Sequence, residues 1–297
     1  MAEIINTDND QTISLSSGND YISNEGNNVT ILALGGNDTI DNGKPFGSGG
    51  SNVTIDAGAG ADSINNYGSF VSINAGAGDN YVYIANEASN VTVSSGNGKD
   101  TIINYGDNVT IDSGAGTDDI TNPGSNTSIV GGDAADTITN SGMSVTIDGG
   151  AGNDSILNSA AKVSINGGAG NDIISNSADN VTLGGGAGND SIENTGASVV
   201  FQYTGGTDTV IGFSETSTLQ VMTGSIVGAT LSANEDSIDA TFKIGSSNLT
   251  LKNFNQTNVI NVINSAGESG EYTISAFAGT NSADEIRNSN SNSAILA

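Results

Sequence analysis

Aliphatic residues recur along this chain at a fixed step. Ile22, Ile40, Ile64, Val82, Ile102, Ile120, Ile138, Ile156, Ile174, Ile192 and Val210 form one series. Nine residues ahead of most of them stands a second: Ile55, Ile73, Val93, Ile111, Ile129, Ile147, Ile165, Leu183 and Phe201. Nearly all are β-branched, which suits short strands. Two residues before each member of the first series lies Asp20, Asp38, Asp62, Asn80, Asp100, Asp118, Asp136, Asp154, Asp172, Asp190 or Asp208. The steps between these positions are 18, 24, 18 and 20, then 18 throughout. The extra six residues fall around Lys44–Gly50 and read as a looped-out insertion; the extra two fall near Glu87 and Ala88.

Each unit of 18 residues thus predicts two turns of about six residues, each followed by a strand of about three. Two apolar ladders then face each other across a thin core. One unit could not fold alone; stacking supplies the core. The expected fold is all-β: a right-handed parallel β-roll or β-solenoid with 18-residue coils, capped by a small non-repetitive β region. The expected boundaries are 1–211 for the solenoid, 212–278 for the cap and 279–297 for a tail.

The two turns of a coil differ. One reads Gly-Gly-Ala-Gly-Asn-Asp at 149–154, 167–172 and 185–190. The other carries valine where the first has aspartate, at Val29, Val53, Val71, Val91, Val109, Val145, Val163, Val181 and Val199, with Thr127 as the exception. The aspartates therefore line one edge only. Coils stack at about 4.8 Å, so the aspartates form a column. At an effective dielectric near 20, each neighbouring pair repels by roughly 3 kcal/mol. Ten such pairs exceed the typical net stability of a domain, about 5–15 kcal/mol. A cation between them resolves the conflict, and oxygen ligands in a flexible turn favour Ca²⁺ over Mg²⁺.

Composition narrows the picture. The net charge of −27 argues against a nucleic-acid partner or binding to an anionic membrane. Cysteine and histidine are absent, which removes disulfides, thiolate metal sites, the commonest zinc ligand, and the Ser-His and Cys-His nucleophile systems. No phosphate-binding loop, nucleophile elbow or His-Glu-x-x-His motif occurs, so no catalytic residue is expected. No apolar run reaches membrane-spanning length, so direct membrane insertion is not expected. The start lacks the basic and apolar regions of a cleaved signal peptide, so an export signal is expected elsewhere or already removed.

Gly149-Gly-Ala-Gly-Asn-Asp-Ser-Ile-Leu157 and its copies resemble the nonapeptide Gly-Gly-x-Gly-x-Asp-x-U-x, U being a large aliphatic residue, of the repeats-in-toxin (hemolysin-type) calcium-binding β-rolls. The resemblance spans roughly residues 10–211. It implies calcium ions shared between turns of neighbouring coils, up to about ten, held by the turn aspartates and by carbonyls of residues such as Gly150, Gly152, Gly168, Gly170, Gly186 and Gly188. The pattern weakens at Leu15-Ser16, Ala33-Leu34 and Ala134, and at Asn80, where the adjacent Asp79 is a substitute candidate. The valine edge is expected to hold no ion.

After residue 211, segments at 218–222, 240–244, 248–254 and 259–263 read as strands of a cap. Gly279-Thr-Asn-Ser-Ala-Asp284-Glu-Ile286 repeats the aspartate turn, and Ile295 lies nine residues on, which reads as one further coil detached from the stack. A type I secretion signal, head-to-tail self-assembly through the terminal coils, and folding back onto the cap are the three readings of that tail. The expected function is a secreted calcium-binding structural protein of a bacterial surface, such as a surface-layer, matrix or fibre subunit. The alternatives are the secretion and folding module of a larger toxin or enzyme, and an ice- or ligand-binding face built on the outward Thr/Ser row from Thr30 to Thr182, flanked by Asn28, Asn52, Asn90, Asn108, Asn126 and Asn180.

Overall fold

The computed structural model describes residues 2–296 apart from 48, 234–237, 255–258, 265, 276–284 and 289–293. The fold is all-β: a parallel β-solenoid with coils of about 18 residues, about 12 turns in all, and a small antiparallel end region. By compactness the chain divides into Met1–Ser155 and Ile156–Ala297.

In the first unit each coil gives one strand to each of two parallel sheets. Tyr21–Asn24, Thr39–Asn42, Ser63–Asn66 and Tyr81–Ile84 belong to the sheet that follows the aspartates. Thr30–Leu32, Thr54–Asp56 and Val71–Asn74 belong to the sheet that follows the valine turn. Alternate side chains point inward, as the strand period requires. Ile22 is in register with Ile40, Ile40 with Ile64, Ile64 with Val82 and Val82 with Ile102. The steps of 24 and 20 are thus absorbed outside the ladder. The residues at 43–47 and 85–88 lie in the turn that leads into the valine strands, where Phe46 is 95% exposed while Ala85 and Ala88 are buried. The backbone N–H of Phe46 donates to Glu87 Oε1 at 3.4 Å, so the two insertions touch.

The core is the two facing apolar ladders plus the valine row, Val29, Val53, Val71, Val91, Val109 and Val145, each 1–2% exposed in this unit. Thr127 takes the valine place, its hydroxyl donating to the Gly124 carbonyl at 3.3 Å.

On the valine side Thr30–Leu32 and Thr54–Asp56 have the three residues expected, whereas Ser128–Asp133 and Thr146–Ala151 run on into the glycine turn. The reason is that turn residues pair from coil to coil, as Gly132 does with Gly150 and Asp133 with Ala151. Glycine is needed in that turn for a steric reason as well as a torsional one. Gly76 and Gly96 have φ of 93° and 94°, and a β-carbon on either would run into the carbonyl of Gly58 or Gly76 in the coil before.

The second unit has the coil pattern as well, with Ile174, Ile192 and Val210 in one ladder and Ile165, Leu183 and Phe201 in the other. Ser247–Phe254 then adds in parallel to Thr207–Ile211, and Ile238–Ile244 and Ile226–Ala233 follow antiparallel. On the other sheet Val259–Ile263 adds in parallel to Thr218–Val221, and Ser269–Ser275 pairs with it antiparallel. Phe242, Leu251 and Ile260 bury their side chains completely. The switch from parallel to antiparallel pairing ends the coil, because a hairpin needs only a short turn whereas a parallel neighbour needs a full circuit. Of the three readings of the tail, folding back onto the cap agrees with its strand pairing. Glu285–Asn288 pairs antiparallel with Ser269–Ser275, and Ala294–Leu296 pairs antiparallel with Glu285–Asn288, bringing Ile286 opposite Ile295. The predicted turn at Gly279–Asp284 lies outside the described residues.

Gly96→Ala is expected to lower the thermal midpoint sharply, costing several kcal/mol on the scale of a strained backbone plus a carbonyl collision, about 1–3 kcal/mol for the strain alone. Gly228→Ala, where a β-carbon meets nothing within 4 Å, is expected to stay within about 0.5 kcal/mol of the parent. Parallel thermal melts followed by circular dichroism give the comparison.

Candidate metal column and the amide column opposite

The aspartates of the turn are brought into columns, as the spacing predicts. Asp20, Asp38, Asp62, Asn80, Asp100, Asp118, Asp136, Asp154, Asp172, Asp190 and Asp208 are each 0–4% exposed. Backbone N–H groups of the column donate to the side-chain oxygen of the next coil: Asp20 to Asp38 Oδ1 at 2.7 Å, Asp100 to Asp118 Oδ1 at 2.8 Å, Asp136 to Asp154 Oδ1 at 2.8 Å, and in the second unit Asp190 to Asp208 Oδ1 at 3.0 Å. One oxygen of each carboxylate is thus committed to the stack. The other is not: Oδ2 of Asp38, Asp62, Asp100, Asp136 and Asp190 is buried without a hydrogen-bond partner.

What surrounds that second oxygen is read from the coil in which asparagine replaces aspartate. Asn80 Oδ1 accepts the Asp62 N–H at 3.0 Å, as an aspartate would. Its amide nitrogen then occupies the Oδ2 place and donates to the carbonyls of Gly76, at 3.4 Å, and Ser95, at 3.2 Å. The environment is therefore made of acceptors. A carboxylate there sets oxygen against oxygen, which only a proton or a cation relieves. Ser113 gives a second view of the same gap, since its buried hydroxyl donates to the Gly131 carbonyl and lowers the affinity of the neighbouring Asp118 for a proton.

The predicted carbonyl ligands divide into two groups. Gly150, Gly168 and Gly186 hold the place of Gly76, whose carbonyl receives the Asn80 amide. Gly152, Gly170 and Gly188 have φ of 140–144°, and the Gly170 carbonyl abuts the α-carbon of Gly188. The carbonyl of the first turn residue, at Gly131, Gly149, Gly167 and Gly185, was not anticipated. It corresponds to Ser95, and a β-carbon on Gly131 would lie 2.7 Å from Asp136 Oδ2. The signal was the run of small residues at this place, Ala33, Ala57, Ala75, Ser95, Ser113 and then glycine to Gly185, with Leu15 and Tyr203 only at its two ends. Asp79 points outward, where its Oδ1 accepts the Lys99 N–H at 2.8 Å. Adjacent residues of an extended chain face opposite ways, so it stands outside the column.

Burial is the main cause of the shifted acidities. It pushes Asp62 up to about 6 and Asp100, Asp136 and Asp208 up to about 7, against the opposing N–H donations, and repulsion from neighbouring aspartates adds to the rise. Asp38, Asp118 and Asp190 move the same way, again through burial. Asp20, at the end of its column, is instead held down by the Ala2 N–H and the Ser16 hydroxyl. Among the described residues no three acidic side chains converge on one point. An ion in the column would be held by one or two aspartates and by carbonyls.

The opposite turn contains a second column that sequence reasoning missed. Asn24, Asn42, Asn66, Asn104, Asn122 and Asn140 are fully buried in the first unit. The Asn24 amide donates to Asn42 Oδ1 at 2.8 Å and to the Gly26 carbonyl at 3.0 Å, while its Oδ1 accepts from Gly26 N–H and from the Asn6 amide. The signal was an asparagine four residues after each turn aspartate from Asp20 to Asp190, with Gly212 in that place after Asp208. Asn28, Asn52, Asn90, Asn108 and Asn126, by contrast, sit outside with φ of 55–58°. They are corner residues, chosen because asparagine tolerates the left-handed region. The outward row does form on the valine side, with Thr30 in register with Thr54, Thr54 with Ser72, and Thr92 with Thr110.

No protein-family model matches the chain, and no curated protein matches it.

Two outcomes are expected. Asn122→Asp keeps the shape but replaces a donor by an acceptor facing Asn140 Oδ1 and the Gly124 carbonyl, at a cost of about 2 kcal/mol or more in urea unfolding at pH 7. In chelator, the aspartate column should make stability fall as pH rises. Carboxyls raised above the unfolded value of about 3.9 bind more protons when folded. Their favourable contribution is complete below about pH 4 and is lost as pH climbs through 6 and 7, where Asp62, Asp100, Asp136 and Asp208 ionise. Melting temperatures of the chelated protein between pH 4 and 8 measure it.

Proposed function

We propose that the protein is a secreted calcium-binding structural solenoid of a bacterial surface, such as a surface-layer, matrix or fibre subunit, of the repeats-in-toxin kind. The observation that carries the reading is the buried second oxygen of Asp38, Asp62, Asp100, Asp136 and Asp190, which has no hydrogen-bond donor, in a turn whose equivalent place at Asn80 faces carbonyl oxygens. Calcium fits that donor set: it accepts six to eight oxygens in irregular geometry, and carboxylates and backbone carbonyls are its usual ligands. The column aspartates and the first and second carbonyls of the glycine turn would hold it. Bound there, the ion supplies the positive charge that the chain lacks, with 33 acidic against six basic residues. Because the carboxylates are 0–4% exposed, they are poorly placed to meet a substrate, which favours a mechanical over a catalytic role. Folding would then wait for a compartment rich in calcium, which suits an exported chain.

The regular outward Thr/Ser row supports a second reading, a flat ligand- or ice-binding face. An ice-recrystallisation assay with no effect at high concentration removes it.

At pH 7.5, chelation is expected to convert the β-type circular dichroism spectrum to a disordered one, and millimolar Ca²⁺ to restore it. A chelated protein that keeps its spectrum and melting temperature would refute the calcium reading. Electron microscopy with and without Ca²⁺ tests the structural role, with ordered fibres or sheets expected only when calcium is present.

A further inference from the structure

The coil that starts at Asn80 departs from the repeat at both of its buried polar column positions. The column aspartate is replaced by Asn80. The column asparagine opposite is replaced by Ile84, which is fully buried. The two-residue insertion lies at its next turn, where Ala88 N–H donates to the Ala85 carbonyl at 3.0 Å. The asparagine column therefore runs through Asn6, Asn24, Asn42 and Asn66, stops, and resumes at Asn104.

On the aspartate side the backbone pattern is unbroken, because Asn80 Oδ1 accepts from Asp62 and Asn80 N–H donates to Asp100. Only the inward atom differs. Asn80 Nδ2 brings its two hydrogens to the carbonyls of Gly76 and Ser95, the places that in the neighbouring coils face a carboxylate oxygen. Both hydrogens of the amide find an acceptor, and the gap is closed with no net charge.

We infer that this coil is a cation-free joint: the Asn80 amide does there what an ion does beside each aspartate, so that the first unit loads as two runs, Asp20–Asp38–Asp62 and Asp100–Asp118–Asp136–Asp154. The inference rests on the calcium reading above. It also has a consequence that needs no metal. In the ion-free protein the Asn80 side chain is already satisfied, whereas Asp38, Asp62, Asp100 and Asp136 each keep an orphaned oxygen. The joint is the coil that stays intact when the ions leave.

Two reciprocal substitutions in the full-length chain test it, Asn80→Asp and Asp62→Asn, with Ca²⁺ counted by calorimetry and elemental analysis and the chelated forms melted at pH 7.5. Asn80→Asp is expected to bind at least one more ion per chain than the parent and to melt lower in chelator. Asp62→Asn is expected to bind at least one fewer and to melt higher in chelator, since its amide can reach the equivalent carbonyls. A parent that binds calcium while neither variant changes the count overturns the joint and leaves the calcium reading standing. A parent that binds no calcium overturns the calcium reading; the order of the chelated melting points then still judges whether the amide compensates the carbonyls, and equal melting points defeat that too. Should Asn80→Asp fail to fold, Asp62→Asn carries the test alone, because its predicted changes run in the opposite direction.

Discussion

In a parallel stack every side chain faces its own copy. Coils repeat at the strand spacing of about 4.8 Å, so whatever occupies a buried position is multiplied into a column and must be compatible with itself. Aliphatic residues meet this condition trivially, and Ile22, Ile40 and Ile64 stack as a dry ladder. Asparagine also meets it, because an amide is donor at one end and acceptor at the other; Asn24, Asn42 and Asn66 pass hydrogen bonds along the axis at 2.7–2.8 Å. Aspartate does not. Its carboxylate uses one oxygen to accept the N–H of the coil before, and its other oxygen meets only acceptors. The two edges of the solenoid thus solve one geometric problem in two ways, one complete within the chain and one that needs something added.

This asymmetry explains which parts could be read from the residues alone. The apolar ladders, the step of 18 and the two insertions were legible because hydrophobic period and coil length are written directly in the spacing. The aspartate column was legible because like charges at a fixed step demand an explanation. The asparagine column was overlooked because asparagine is also an ordinary turn former. Asn28 and Asn24 lie four residues apart and look alike in sequence, yet one turns a corner with φ of 58° and the other is buried in the amide chain. Only the inward or outward direction of the side chain separates them. The strand direction of the tail was hidden for a related reason. Asp284 and Ile286 fit the repeat locally, but the pairing of Glu285–Asn288 with Ser269–Ser275 is antiparallel, and direction is not encoded in a nine-residue match.

The glycines show how strongly the column constraint acts on the backbone. At Gly76 and Gly96 φ of 93–94° lies beyond the 55–58° that asparagine adopts at the opposite corner. The carbonyl of the preceding coil, stacked where a β-carbon would go, closes the position to any side chain a second time. Close approach of successive turns also allows carbonyls from two coils to meet at one carboxylate. Tight glycine turns and the acceptor-only gap are therefore one feature: a bulkier turn would separate the coils and dissolve the site along with the clash.

A stack that relies on self-compatible columns is sensitive to any coil that breaks them, and the coil of Asn80 and Ile84 breaks both kinds. Its continuity is secured from outside. Tyr67 and Tyr105 follow the column asparagines of the coils on either side, and Ala85 holds the equivalent place between them. Tyr83 fills the resulting gap from the neighbouring row, its ring 6.1 Å from Tyr67 and 5.9 Å from Tyr105 in tilted contact. Each such pair contributes about 0.5–1.5 kcal/mol beyond the area it buries, comparable with the hydrogen bond forfeited where Ile84 interrupts the amide chain. The contact of Phe46 N–H with Glu87 ties the two insertions over the same edge. Aromatic packing therefore takes over across the one interval of the first unit where amide cannot stack on amide, and the departures from the repeat gather there because each removes a column contact that another must replace.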